Sequence, residues 1–107
     1  MSQPSPWIDT IPADDLPEGA HRCAVAAGKP VVVIHAEGEL HAIANVCPHA
    51  GQPLGEGEMR GRLIVCPFHG YAYDVRTGRN RDFPHDEPPV KTYPVRIADG
   101  MIQVQVT

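Results

Sequence analysis

The chain has 107 residues, 42% hydrophobic and 21% charged, which suits one globular domain with a core of its own. Its formal net charge of −4 disfavours nucleic acid and anionic membranes as partners, and no apolar run approaches the ~18 residues of a membrane span. Three cysteines cannot complete a disulfide framework; the odd count suits free thiols or metal ligands in a reducing compartment.

Twelve prolines and ten glycines point to turns and loops rather than long helices. In chain order, Trp7 to Ile11 is a short predicted strand, followed by an acidic turn from Asp14 to Gly19. His21 to Ala27 is a second strand, and Pro30 to Ala36, rich in β-branched residues, is a third. Glu37-Gly38-Glu39 reads as a hairpin turn and Leu40 to Val46 as the returning strand. From Cys47 to Glu58 the pattern breaks into a Gly- and Pro-containing loop. Arg62 to Val65 and Tyr71 to Val75 are short strands around a second loop, Cys66 to Gly70. After a turn at Arg76-Thr77-Gly78, Asn80 to Pro89 is a polar, Pro-rich loop. Lys91 to Ala98 and Met101 to Val106 form a hairpin across Asp99-Gly100.

Short strands at close spacing predict an all-β protein, an antiparallel sandwich or small barrel. Residues 1–107 are expected to form one domain, with segments 1–46 and 74–107 as its base and an inserted subdomain over about 47–73 carrying the chemistry. Residues 1–7 contain no basic region and no apolar stretch, which predicts no signal peptide and a cytoplasmic location.

Two segments echo each other: Cys47-Pro48-His49 and Cys66-Pro67-Phe68-His69, with sixteen residues between His49 and Cys66. Each offers one thiolate and one imidazole. A two-iron cluster with two Cys on one iron and two His on the other needs such a supply from two loops. The pattern Cys47-Pro48-His49, Leu54-Gly55, Cys66-Pro67-Phe68-His69-Gly70, Asp74, Thr77-Gly78 resembles the Rieske [2Fe–2S] ferredoxin family, sharply over residues 45–80. The resemblance implies the Rieske fold, one [2Fe–2S] cluster, and Cys47, His49, Cys66 and His69 as its ligands. Pro48 and Pro67 stiffen the two loops. Gly51, Gly55, Gly57 and Gly70 let backbone approach closely, so that N–H groups can face sulfur. Zinc also accepts two Cys and two His, although Cys-x-His in the first arm is unusual for a zinc finger.

The donor set has an electronic consequence. Two ferric ions, two sulfides and two thiolates sum to zero, and neutral imidazoles add nothing, so reduction takes the cluster only to −1. An electron enters such a centre more easily than an all-cysteine one, within a family range of about −150 to +300 mV. Gln52 and Phe68 stand where similar high-potential proteins carry a disulfide pair, and Tyr71 where they carry a serine donor. The resemblance therefore implies the lower part of that range, as in soluble ferredoxins of bacterial ring-hydroxylating oxygenases.

The resemblance implies a one-electron carrier between a flavoprotein reductase and a terminal oxygenase. An alternative is the small subunit of an assimilatory nitrite reductase, bound to the large subunit, which is similar in its closing Thr92-Tyr93-Pro94-Val95-Arg96 stretch. A third, of another class, is a redox-sensing regulatory module. No nucleophile with a base and no phosphate loop is evident, so no independent catalysis is expected. Docking is expected at the tip bearing His49 and His69, through Gln52, Pro53, Leu54, Phe68 and Tyr71. Cys23 is expected to be a small buried hydrophobe far from both loops. His21, His35, His41 and His85 read as surface or strand-edge residues. Tyr73 reads either as a strand aromatic or as a hydrogen-bond donor to a cluster thiolate.

Overall fold

The computed structural model describes residues 6–48, 51–68, 70–83, 85 and 88–106. Ten strands are present among them: β1 (Trp7–Pro12), β2 (His21–Ala26), β3 (Lys29–Ala36), β4 (Glu39–Ala44), β5 (Glu58–Arg60), β6 (Leu63–Val65), β7 (Ala72–Asp74), β8 (Thr92–Tyr93), β9 (Val95–Ala98) and β10 (Met101–Gln105). Two short 3-10 turns, Ala13–Asp15 and Leu54–Glu56, complete the regular structure. The strands make three antiparallel sheets, ordered β1-β10-β9, β2-β3-β4-β8 and β5-β6-β7.

The tight turns Ala27-Gly28, Glu37-Gly38 and Asp99-Gly100 each place two consecutive residues at positive φ, the backbone whose twist matches flanking strands. The side chain of Glu18 supports one of them, accepting the backbone N–H groups of Glu37 and Gly38 at 3.0 and 2.5 Å.

The run Val31-Val32-Val33-Ile34 lacks alternation because both faces of β3 are buried. Val31 and Val33 pack with Leu16, Ala42, Tyr93, Ile102 and Val104, the core between the first two sheets. Val32 and Ile34 point the other way, into a second core with Ile43, Leu54, Ile64, Tyr73 and Val75. All four residues of the run are fully buried, and each contributes about 1.5–3 kcal/mol through the water it leaves. The β2-β3-β4-β8 sheet is therefore the middle layer, and the second core lies under the β5-β6-β7 sheet.

Two expectations need correction. Lys91 to Ala98 is not one strand. Pro94 has no N–H to continue a ladder, and the chain breaks there: β8 pairs with β4 and β9 with β10, in different sheets. Glu58 is not loop but the first residue of β5, which pairs with β6. Three residues are too few to show a period in sequence.

Candidate metal centre

Both cysteine segments leave a strand and turn back on themselves in the same way. Cys47 follows β4; its N–H donates to the Gln52 carbonyl at 2.7 Å, and its own carbonyl accepts from Gly51 N–H at 2.8 Å. Cys66 follows β6; its N–H donates to the Tyr71 carbonyl at 2.8 Å, and its carbonyl accepts from Gly70 N–H at 2.9 Å. The hydrogen-bond spacing is identical, five residues and four, so the two segments close in the same way. Gly51 and Gly70 hold equivalent places with φ of 65° and 71°. A Cβ at either would meet nothing within 4 Å, so the backbone angle is what calls for glycine.

The loops bring the two thiols together. Cys47 Sγ and Cys66 Sγ are 3.0 Å apart, without a disulfide, and both residues are fully buried. Leu54, Ile64, Tyr73, Val75 and Val90 share their apolar surroundings. Two convergent, buried, unlinked thiols are a soft donor pair suited to iron–sulfur chemistry. His49 and His69, the other two expected ligands, lie outside the described residues.

Several neighbours differ from expectation. Leu54 is fully buried in the core beneath the thiols, so it is not available to a partner. It is the apolar anchor of the short 3-10 turn that follows the first loop. Phe68 is 46% exposed, and Gln52 is exposed. Pro53 and Tyr71 are half-buried. Phe83, hidden in sequence within a polar loop, is 47% exposed and meets Tyr71 edge-on with ring centroids 6.1 Å apart. Buried Asn80 puts it there: its Oδ1 accepts the N–H groups of Asp82 and Phe83 at 2.9 and 3.2 Å, and it bridges to Tyr73 of β7. The signal available in sequence was the Asn itself, whose side chain can accept the backbone N–H two residues on in an Asx-turn.

Cys23 is neither buried nor remote. It is exposed, receives a hydrogen bond from Asn45 Nδ2 at 3.4 Å, and packs on Gly55 of the first ligand loop. Cys23 pairs with Val32 across β2 and β3 and so shares its face of the middle sheet, and both side chains lie against Gly55. His21 of the same edge reaches Gly55 too, donating from Nε2 to its carbonyl at 3.0 Å. His35 is half-buried and bonds the Leu16 carbonyl at 3.0 Å.

Comparison with known proteins agrees with this geometry. The Rieske [2Fe–2S] domain matches residues 6–94, and the chain belongs to that family. It is 35% identical over 100 residues to a ferredoxin component of naphthalene 1,2-dioxygenase/salicylate 5-hydroxylase systems from Ralstonia sp, covering 94% of this chain and 95% of that one. The ferredoxin of carbazole 1,9a-dioxygenase from Nocardioides aromaticivorans IC177 superposes with a TM-score of 0.85 at 28% identity, covering 96% of this chain and all of that one. A chain in the complex of reduced oxygenase and oxidized ferredoxin in carbazole 1,9a-dioxygenase gives 0.83 at 30% identity, with 92% of each chain covered. The protein is thus a ferredoxin-type electron carrier with a Rieske-type [2Fe–2S] cluster.

Proposed function

We propose that the chain carries single electrons from a flavoprotein reductase to the terminal oxygenase of a dioxygenase system, with its cluster held by Cys47, His49, Cys66 and His69. The observation that carries the reading is the pair of matching loops that converge Cys47 and Cys66. When bound, the cluster supplies a centre that takes up and gives back one electron with little rearrangement. The chain's own part is to hold the donors in short, hydrogen-bonded loops. The test is composition: about two irons and two acid-labile sulfides per chain are expected, and zinc without iron would end the reading.

We further propose one domain over residues 1–107, with the cluster-binding part over about 47–73. In support, β5, β6 and β7 pair only with one another among the described strands, and segments before 45 and after 91 supply the other two sheets. Among the described residues no helix is long and apolar enough to cross a membrane; a cytoplasmic location is part of the proposal.

Docking is proposed at the end of the molecule bearing the two loops. Phe68, Phe83 and Val46, between 42% and 47% exposed, cluster in sequence with the ligand loops or reach them through Tyr71. The run Asp14-Asp15 lies toward the other end, since Ala13 and Leu16 line the same cavity as Gly38 and Glu39 at the start of β4, whereas Cys47 follows the end of that strand. Phe68→Asp is expected to slow electron delivery to the oxygenase roughly 10- to 30-fold, the scale of losing one aromatic anchor, with the cluster spectrum unchanged. Lysine at position 14 or 15 should leave the rate within twofold of native. Equal slowing by both kinds of variant would place docking elsewhere.

Tyr73 is proposed as a tuning residue. It is fully buried in the same apolar cluster as Cys47 and Cys66, where a phenol can donate to thiolate sulfur. A hydrogen bond to a charged acceptor contributes roughly 1.5–3 kcal/mol. Only the part that differs between redox states moves the potential, and about 1 kcal/mol corresponds to some tens of millivolts in a one-electron couple. Tyr73→Phe should lower the midpoint potential by that amount with the cluster intact. An unchanged midpoint in voltammetry would leave Tyr73 as packing alone.

A further inference from the structure

The neck of the first ligand loop is tied by side chains that the electron-transfer reading does not use. Asn45 directly follows β4, two residues before Cys47, and its own N–H is fixed to the Pro30 carbonyl at 3.1 Å. Its side-chain Oδ1 accepts the N–H of Gly55 at 2.7 Å, on the limb that leaves the loop. The Gly55 carbonyl in turn accepts from His21 Nε2 at 3.0 Å. Both polar groups of one peptide residue are therefore taken by side chains of the middle sheet. There is no slack at this point: a Cβ on Gly55 would collide with Cys23 Sγ and stand 3.2 Å from Asn45 Oδ1 and 3.3 Å from Val32 Cγ2.

We infer that Asn45 is a positioning residue for the cluster: its carboxamide ties the limb entering Cys47 to the limb leaving the loop at Gly55, and so sets where the Cys47 sulfur sits. The inner bond, from Cys47 N–H to the Gln52 carbonyl, closes the loop. The Asn45 bond ties the segment that follows it back to the end of β4. Hydrogen bonds made directly to metal ligands typically carry 10- to 100-fold in metal affinity or activity; the Asn45 bond acts one step further out, through the backbone that carries Cys47. Cys23 and His21 complete the seat: the sulfur fills the space that glycine leaves, and the imidazole holds the far side of the same residue.

The inference rests on Cys47 being a ligand, and the iron and sulfide content of the native protein tests that reading separately. Asn45→Ala is expected to release the cluster to a chelator several-fold faster than native, to alter the electron paramagnetic resonance line shape of the reduced protein, and to lose hydrogen-exchange protection in peptides spanning Gly55. Asn45→Asp keeps an acceptor for the Gly55 N–H but gives up the Nδ2 bond to Cys23, and should release iron more slowly than Asn45→Ala. Gly55→Ala should behave like Asn45→Ala, and combining it with Cys23→Ala, which removes the colliding sulfur but not the closer approach to Asn45 and Val32, should recover part of the retention. This second pair carries the test if Asn45→Ala fails to fold. A native release rate and line shape in Asn45→Ala would overturn the inference. So would release from Asn45→Asp as fast as from Asn45→Ala, or a Gly55→Ala defect that Cys23→Ala leaves in place.

Discussion

Cys47→Ser and Cys66→Ser are each expected to yield a colourless protein with essentially no bound iron. Serine keeps the shape of the side chain but offers a hydroxyl that stays protonated at neutral pH, and a hard oxygen where iron–sulfur chemistry needs thiolate. Neither position has an understudy. The third thiol, Cys23, is exposed on the edge strand β2, apart from the buried pair. Cys23→Ser should therefore keep its colour, its iron and its sulfide. Absorption spectra and metal analysis of the three variants form one experiment. Cluster loss in Cys23→Ser equal to that in the other two would mean that the ligands are wrongly assigned.

Leu54→Ala should lower the thermal midpoint of the cluster-loaded protein by roughly 10 to 30 °C. Leu54 is fully buried beside Cys47, Cys66, Ile64 and Tyr73. Truncating such a leucine costs about 2–5 kcal/mol, the lost transfer free energy plus a cavity term, and each kcal/mol moves the midpoint of a domain near 100 residues by about 4–8 °C. The loss of visible absorption should shift with the loss of circular dichroism, because the same side chain supports loop and core. A midpoint within two degrees of native would contradict the packing. Leu54→Asp should be worse still, since it buries a charge without a partner. Slow electron transfer in that variant would report a damaged loop base rather than a lost docking contact, and Phe68 is the better probe of the surface.

The candidate donors of this protein were legible in its sequence because donor type and spacing are properties of the sequence itself. Cys47 and Cys66 each precede proline and stand in echoing segments, and no fold was needed to see that two thiols and two imidazoles were on offer. Strand identity was legible wherever β-branched runs or Gly-containing turns marked it, as in β3 and the hairpin at Asp99-Gly100. It failed at β5, too short to show a period, and at Pro94, where a missing N–H divides a continuous apolar pattern between two sheets.

Tertiary structure alone decided which side chains face the loops. Leu54 in sequence is an apolar residue on a loop, equally suited to a partner or a core; only the stacking of the third sheet on the middle one buries it. Cys23, Asn45 and His21 carry no spacing that ties them to Gly55, because they meet it across 32, 10 and 34 residues of chain. Such contacts depend on sheet order and register, which place the β2 edge beside the first ligand loop. Phe83 reaches Tyr71 only because buried Asn80 turns its loop back onto β7. Donor type is local and travels with the sequence; the surroundings of Cys47 and Cys66 are assembled from distant segments, and packing alone brings them together.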